Sequence, residues 1–152
     1  MALRPATEVD VPAIFELLRR APSTSQWSEA QITHTVLDHS SERLCLVAAE
    51  GKTIQGFLAA RGVAGEWELE NIVVADMVKR RGYGAQLIAS LLEHARGQRA
   101  SSIFLEVRAS NVAARRLYEK FGFEVASRRP QYYRNPPEDA VLYRLELRES
   151  AL

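Results

Sequence analysis

Val73-Val74-Ala75-Asp76-Met77-Val78-Lys79-Arg80-Arg81-Gly82-Tyr83-Gly84-Ala85 carries an apolar run through a basic, glycine-bearing turn into an amphipathic segment. From Gly82 onward Tyr83, Leu87, Ile88, Leu91, Leu92 and Ala95 share one helical face, and the segment ends near Gly97. A strand that turns into a helix in this way can bind anions. Glycines let the main chain approach a ligand closely, the first helical N–H groups lack internal partners, and the macrodipole adds about half a positive charge. Lys79, Arg80 and Arg81 bring mobile charge to the same turn. A solvated basic turn that only starts a helix is the alternative, and the basic triplet weighs against it. Two familiar phosphate motifs fail here. A Walker loop needs Gly-Lys-Ser/Thr after the glycine run, and a dinucleotide fingerprint needs a third glycine where Leu87 stands.

On the N-terminal side, three apolar runs within residues 43–74 are separated by Glu50-Gly51-Lys52 and Val63-Ala64-Gly65-Glu66, which predicts an antiparallel three-stranded meander. Earlier still, Thr7 with Asp10 and Ser28 with Gln31 have capping-box spacing and open two helices. Val11, Ile14, Phe15 and Leu18 recur at helical spacing in the first, and Trp27 is placed to staple onto Ile32 in the second. On the C-terminal side, residues 101–108 read as a strand with Ile103, Leu105 and Val107 on one face and Phe104, Glu106 and Arg108 on the other. Ser110 or Asn111 caps a short helix carrying Val112, Leu117, Tyr118 and Phe121, which Gly122 stops. Residues 123–127 and 140–147 form a last pair of strands around a polar, proline-bearing loop, 128–139, too long for a tight hairpin. The expected architecture is a mixed α/β fold in a single domain, 1–152.

With 152 residues the chain can bury roughly two-thirds of its unfolded surface in one core. Its 47% apolar and 26% charged content argues against disorder. A formal net charge of +1 provides no field to hold a polyanion, so nucleic acid is not expected as the principal ligand. A single cysteine, Cys45, rules out an internal disulfide framework and a multi-thiolate zinc site, and suits a reducing compartment. No apolar run reaches membrane-spanning length and the start lacks a signal-peptide core, so a cytoplasmic protein is expected. His34, His39 and His94 show no metal-ligand spacing, and no metal is expected.

Lys79-Arg80-Arg81-Gly82-Tyr83-Gly84 matches the [R/Q]-x-x-G-x-[G/A] turn of the GNAT superfamily of acetyl-CoA-dependent N-acetyltransferases, which the chain resembles in order of elements over essentially its whole length. The resemblance implies a mixed, mostly antiparallel central sheet flanked by helices, with acetyl-CoA as cosubstrate. In that family the turn's amides, here from Lys79, Arg80, Arg81, Gly82, Tyr83 and Gly84, hold the coenzyme A pyrophosphate, and the preceding strand at Ile72, Val73 and Val74 pairs with the pantetheine arm. Lys79 replaces the usual arginine or glutamine, and Ala75-Asp76 stands where Val-Asp-Pro is common; neither change removes the amides. A narrower resemblance rests on Leu105-Glu106-Val107-Arg108-Ala109-Ser110-Asn111, the run from Ala114 to Phe123, and the pair Tyr132-Tyr133. These are similar to the bacterial ribosomal-protein-alanine N-acetyltransferases of the RimI type. That likeness implies a protein N-terminus as acceptor, the alanine of a small-subunit ribosomal protein, with Glu106 as base, Tyr118 as general acid, and Asn111 and Tyr118 as coenzyme A contacts. It also implies that Trp27 and Tyr132 border the acceptor groove.

Acetyl transfer to an amine needs a neutral nucleophile, a polarised thioester carbonyl and a proton for the departing thiolate. An α-amine with a reference pKa near 7.7 to 8.0 is roughly a tenth neutral at pH 7, against well under ~0.1% for a lysine near 10.4, a gap of about 3.5 kcal/mol. A modest carboxylate therefore suffices for a chain N-terminus. Glu68 and Glu70 alternate on the strand before the turn and rival Glu106 as base, or one of them orients the amine. Cys45 lies in an apolar run, where an inert buried thiol is expected, so transfer is expected to be direct. A GNAT enzyme acting on lysine or a small amine, and a non-catalytic acyl-CoA-binding module, remain as alternatives.

Overall fold

The computed structural model describes residues 1–76, 79, 81–134 and 136–147. The strands are β1 (Ala2–Pro5), β2 (Arg43–Glu50), β3 (Thr53–Val63), β4 (Glu66–Val74), β5 (Ser102–Arg108), β6 (Glu124–Arg134) and β7 (Pro137–Glu146). The helices are α1 (Val11–Arg19), α2 (Glu29–Val36), α3 (Tyr83–Gly97) and α4 (Val112–Lys120), with a short 3-10 turn at Glu8–Asp10 before α1. The strands make one sheet in the order β1-β2-β3-β4-β5-β7-β6, antiparallel throughout except where β4 meets β5. The mostly antiparallel α/β sheet implied by the GNAT resemblance is therefore the observed one.

Both capping boxes form as their spacing predicts. The Asp10 carboxylate accepts from the Thr7 amide at 2.8 Å, and Ser28 and Gln31 exchange bonds of 2.8 and 3.1 Å. Helices α1 and α2 cover one face of the sheet through Val11, Ile14, Leu18, Ile32 and Val36. Leu87, Ile88, Leu91 and Leu92 of α3 and Tyr118 of α4 cover the other, against Ile103, Leu105, Val141 and Tyr143. Trp27 packs with the first of these clusters, edge-to-face on Phe57 with ring centroids 6.3 Å apart.

Two elements differ from the sequence reading. Strand β1 is four residues long and ends in proline, so its composition gives no strand signal, yet it pairs with β2 from Ala2↔Ala49 to Pro5↔Leu46. The segment 128–139, expected as a loop, is instead the distal half of a long hairpin in which β6 and β7 pair as far as Arg134↔Pro137. Edge strand β6 is solvated on nearly all its length, so it lacks the apolar alternation that marks a strand. Its register also jumps between Arg129 and Tyr133, where Gln131 takes a φ of +54°. Asp139 fixes that bulge from the neighbouring strand, accepting from Arg128 Nη1 at 3.2 Å and from the Gln131 amide at 3.1 Å.

The N-terminal strand is tied to α1 by a buried carboxylate. Asp10 accepts a two-pronged bond from Arg4, at 2.7 and 2.9 Å, as well as the Thr7 amide. The Arg4 guanidinium, helped by Thr7, holds the Asp10 carboxyl below its usual value despite burial. A lowered native pKa means that the unfolded chain takes up the proton first as pH falls, so this stabilisation is complete above the ordinary value of 3.8 and lost below it. Asp10→Asn should cost about 1.5–3 kcal/mol at neutral pH. The gap to the wild type in denaturant titrations should narrow as pH drops below 3.8, and a gap that grows on acidification would contradict this account.

Candidate active site

Strands β4 and β5 pair in parallel over three residues only, Glu66↔Ser102, Trp67↔Ile103 and Glu68↔Phe104, and then separate. Each keeps its other neighbour: β3 stays on β4 as far as Gly56↔Val74, and β7 follows β5 from Ser102 to Arg108. The result is a wedge through the middle of the sheet with firm walls. Main-chain groups of β4 that point away from β3 beyond Glu68 have no strand to pair with.

A bulge in β4 sets what faces the wedge. Asn71 pairs with Ala59 and Leu69 with Ala60, leaving Glu70 as an extra residue. Up to Leu69 the odd positions, Trp67 and Leu69, pack toward α3; beyond the bulge the parity is reversed and Val73 packs toward α1 and α2. Glu70 and Asn71 therefore lie side by side on the α1–α2 face. Glu70 is bonded to Arg43 and lies 3.6 Å from Arg61 Nε, while the Asn71 amide donates to the Ser25 carbonyl at 2.9 Å. The Asn71 Oδ1 is buried without a partner.

Two cavities meet at the wedge. The first, about 390 Å3, opens toward α1 and α2 and is lined by Glu70, Asn71, Glu106, Arg108, Tyr118 and Tyr133 and roofed by residues 22–26. The second, about 570 Å3, runs along Ile72, Val73 and Val74 to the start of α3, past Lys79, Gly82, Tyr83 and Gly84, and is walled by α4. Ile72, Asn111 and Tyr118 line both.

At the α3 end, Gly82 caps the helix with a φ of +84°, which an L side chain would strain. A Cβ on Gly84 would come within 3.1 Å of Leu117 Cδ2, so glycine is what lets α3 approach α4. Among the described residues, the Gly82, Tyr83 and Gly84 amides make no hydrogen bond, which leaves them pointing donors at an electropositive helix start. Lys79 lines this cavity and pairs with Asp76 at 2.8 Å. Arg81 is exposed outside the lining, and Arg80 lies outside the described residues.

In the first cavity, Glu106 projects from β5 and meets Arg129 Nη1 at 3.4 Å. Tyr118 is only 4% exposed, and burial pushes its phenol well above the ordinary value of 10. Burial, and then the Glu106 charge, also raise Tyr133, whose ring carries the Arg108 guanidinium 4.3 Å from its centroid. Asn111 caps α4 by accepting from the Ala114 amide at 3.2 Å while lining both cavities.

The other sequence candidates lie apart from these. Glu68 pairs with Arg61 across β3 and β4 at 3.3 Å and lines neither cavity. Trp27 belongs to the α1–α2 core, not to the cavity wall. Of the tyrosine pair, Tyr133 enters the cavity and Tyr132 is 48% exposed beside it. Neighbouring strand residues point to opposite faces, and the bulge before Tyr133 hides which of the two turns inward. In the sequence Asn71 is a polar residue inside an apolar run, and only the β4 bulge turns it toward the first cavity. Burial pushes the Cys45 thiol up to about 12, and Cys45 lines neither cavity. Among the described residues no group of three or more His, Cys, Asp or Glu side chains is arranged to hold a metal ion. Nor, among the described residues, is any helix long and apolar enough to cross a membrane.

Comparisons with known proteins agree with this geometry. The family model described as acetyltransferase (GNAT) family matches residues 11–123. The [ribosomal protein bS18]-alanine N-acetyltransferase of Salmonella typhimurium is 34% identical over 141 residues, covering 91% of this chain and 92% of that one. Its namesake from Escherichia coli K12 is 33% identical with the same coverage. The crystal structure of the Escherichia coli ribosomal-protein-S18-alanine N-acetyltransferase superposes with a TM-score of 0.86 at 28% identity, over 99% of this chain and 96% of that one. The Salmonella typhimurium protein yncA, solved with its cofactor acetyl-CoA, has the same fold, with a TM-score of 0.85 at 21% identity over 100% of this chain and 96% of that one. A family match over most of the chain, on a sheet wedged open beside a glycine-bearing helix start, makes this protein a member of the GNAT acetyltransferase family and an N-acetyltransferase.

Proposed function

We propose that the enzyme transfers acetyl from acetyl-CoA directly to the α-amino group of a protein N-terminus, the alanine of a small-subunit ribosomal protein. The observation that carries this reading is that Tyr118 lines both cavities while Glu106 lines the acceptor cavity, so the two groups flank one opening. The substrate assignment is supported by the relatives that act on ribosomal protein bS18 alanine.

In this reading the Gly82, Tyr83 and Gly84 amides, with Lys79, Arg80 and Arg81 nearby, hold the coenzyme A pyrophosphate, and Ile72, Val73 and Val74 pair with its pantetheine arm. Asn111 contacts the same ligand. Acetyl-CoA supplies the activated acyl group. Glu106 takes a proton from the acceptor ammonium, and the amine then attacks from the α1–α2 side. Of the two protons the ammonium loses overall, one ends on the coenzyme A thiol and one in solvent. Glu70, held by Arg43, orients the amine, and Trp27 and Tyr132 stand behind the groove rather than in it.

Burial decides how Tyr118 acts. An ordinary phenol near 10 facing a thiol near 8.5 already gives up its proton uphill by about 2 kcal/mol, and burial of Tyr118 widens that gap. The same desolvation strengthens hydrogen bonds to a charged acceptor. Tyr118 therefore donates a hydrogen bond to the departing sulfur and keeps its own proton through most of the step.

Coenzyme A release should occur with alanine-led peptides whose N-terminus is free and vanish when it is blocked, even if a lysine is present. Release with a blocked, lysine-containing peptide would shift the assignment to side-chain acetylation, and none with any acceptor would point to a binding module. Glu106→Gln and Tyr118→Phe should each lower kcat at least tenfold while calorimetric affinity for acetyl-CoA stays nearly constant. Unchanged turnover in either variant would remove that residue from the chemistry. Cys45→Ala should retain most activity, since a thiol held near 12 is not a nucleophile at neutral pH, and a trapped acetyl-cysteine in the wild type would show otherwise.

A further inference from the structure

The Glu106 carboxylate is partnered before any acceptor arrives. Arg129 Nη1 lies 3.4 Å from its Oε1, with the arginine side chain 55% exposed and the carboxylate 23% exposed. At that distance and exposure the pair is weak and exchangeable. Arg129 reaches the site because β6 leaves register directly after it, and Asp139 fixes the bulge that aims it there. In the same position the guanidinium also lies over an aromatic ring. Its Cζ is 5.3 Å from the centroid of the Tyr132 ring, which stands outside the cavity.

We infer that Arg129 is a charge gate on the acceptor site, a positioning residue whose guanidinium a cationic N-terminus displaces from Glu106 and a neutral one does not. This rests on the α-amine reading above. About nine-tenths of an α-amine is protonated at pH 7, so the arriving group is an ammonium and competes with the guanidinium for one carboxylate, charge for charge. The displaced guanidinium keeps its place over the Tyr132 ring, so leaving Glu106 does not strand it. Acetylation converts the ammonium into an amide without charge, and nothing on the product then competes for Glu106. Arg129 closes again and favours release. The gate lowers acceptor affinity slightly and in exchange disfavours blocked N-termini, including the enzyme's own product.

The test is steady-state kinetics of the wild type, Arg129→Gln and Arg129→Lys with a free alanine-led peptide, together with inhibition by the same peptide carrying an N-terminal acetyl group. Arg129 is exposed, so both variants should fold. Arg129→Gln should lower the acceptor KM about two- to fivefold, the effect of losing one half-exposed ion pair, and tighten product inhibition by a similar factor. The KM for acetyl-CoA should not move, and Arg129→Lys, which keeps the charge, should stay close to the wild type. An acceptor KM that rises or holds in Arg129→Gln, or a lysine variant that behaves like the glutamine one, would overturn the gate. Absence of coenzyme A release by the wild type with every free peptide would remove the gate together with the α-amine reading, whereas wild-type turnover with an unmoved KM in Arg129→Gln removes the gate alone.

Discussion

The loss of pairing between β4 and β5 after Glu68 and Phe104 is the constraint on which the rest of this molecule depends. Separating two strands in the middle of a sheet leaves main-chain donors and acceptors without partners, a cost that folded proteins normally avoid. Here it is tolerated because each strand stays paired on its far side, β4 to β3 around the bulge at Glu70 and β5 to β7. The opening is therefore a rigid slot with hydrogen-bonding edges. An extended, amide-bearing ligand fits such an edge as an added strand would.

The slot connects two faces of the sheet that are chemically unlike. On the α3–α4 face the approach is through free amides at a helix start, a basic turn and apolar side chains. On the α1–α2 face it is through carboxylates, a buried amide oxygen and aromatic hydroxyls. On the second face arginines stand beside the carboxylates: Arg108 lines the cavity with Glu70 and Glu106, Glu70 is bonded to Arg43, and Glu106 lies 3.4 Å from Arg129. The two cavities share Ile72, Asn111 and Tyr118, and in the proposed reaction the two substrates meet there, as direct transfer needs and a covalent relay through Cys45 does not.

Much of this was legible in the sequence because it is local. The turn from Val73 to Ala85, both capping boxes, the meander, and the alternation that puts Glu106 opposite Leu105 are all written within a few residues of one another. What escaped depends on register. Strict alternation along β4 places Glu66, Glu68 and Glu70 on one face and Asn71 on the other, and only the bulge brings Asn71 round beside Glu70. The Tyr132-Tyr133 pair is a case of the same kind, since a bulge in β6 settles which ring lines the cavity. Strand β6 itself was hidden because an edge exposed on both faces has no apolar period to display. A bulge is a relation between two strands, and one strand's sequence does not record it.

The position of Tyr118 shows why a buried group at such a junction has to be neutral. It belongs to the core that α3 and α4 make with the sheet, beside Phe123 and Tyr143, and it lines both cavities. A carboxylate or ammonium at that place would require a fixed counter-charge in the core, and breaking such a pair during each turnover would cost more than it returned. A phenol held above its ordinary value stays uncharged across the physiological range and still presents a donor. In the proposed mechanism the charged work falls to Glu106, on the other wall, where the exposed Arg129 can compensate it. In that mechanism the two tasks fall to a buried donor, Tyr118, and a partly exposed carboxylate, Glu106, on the two walls of the wedge.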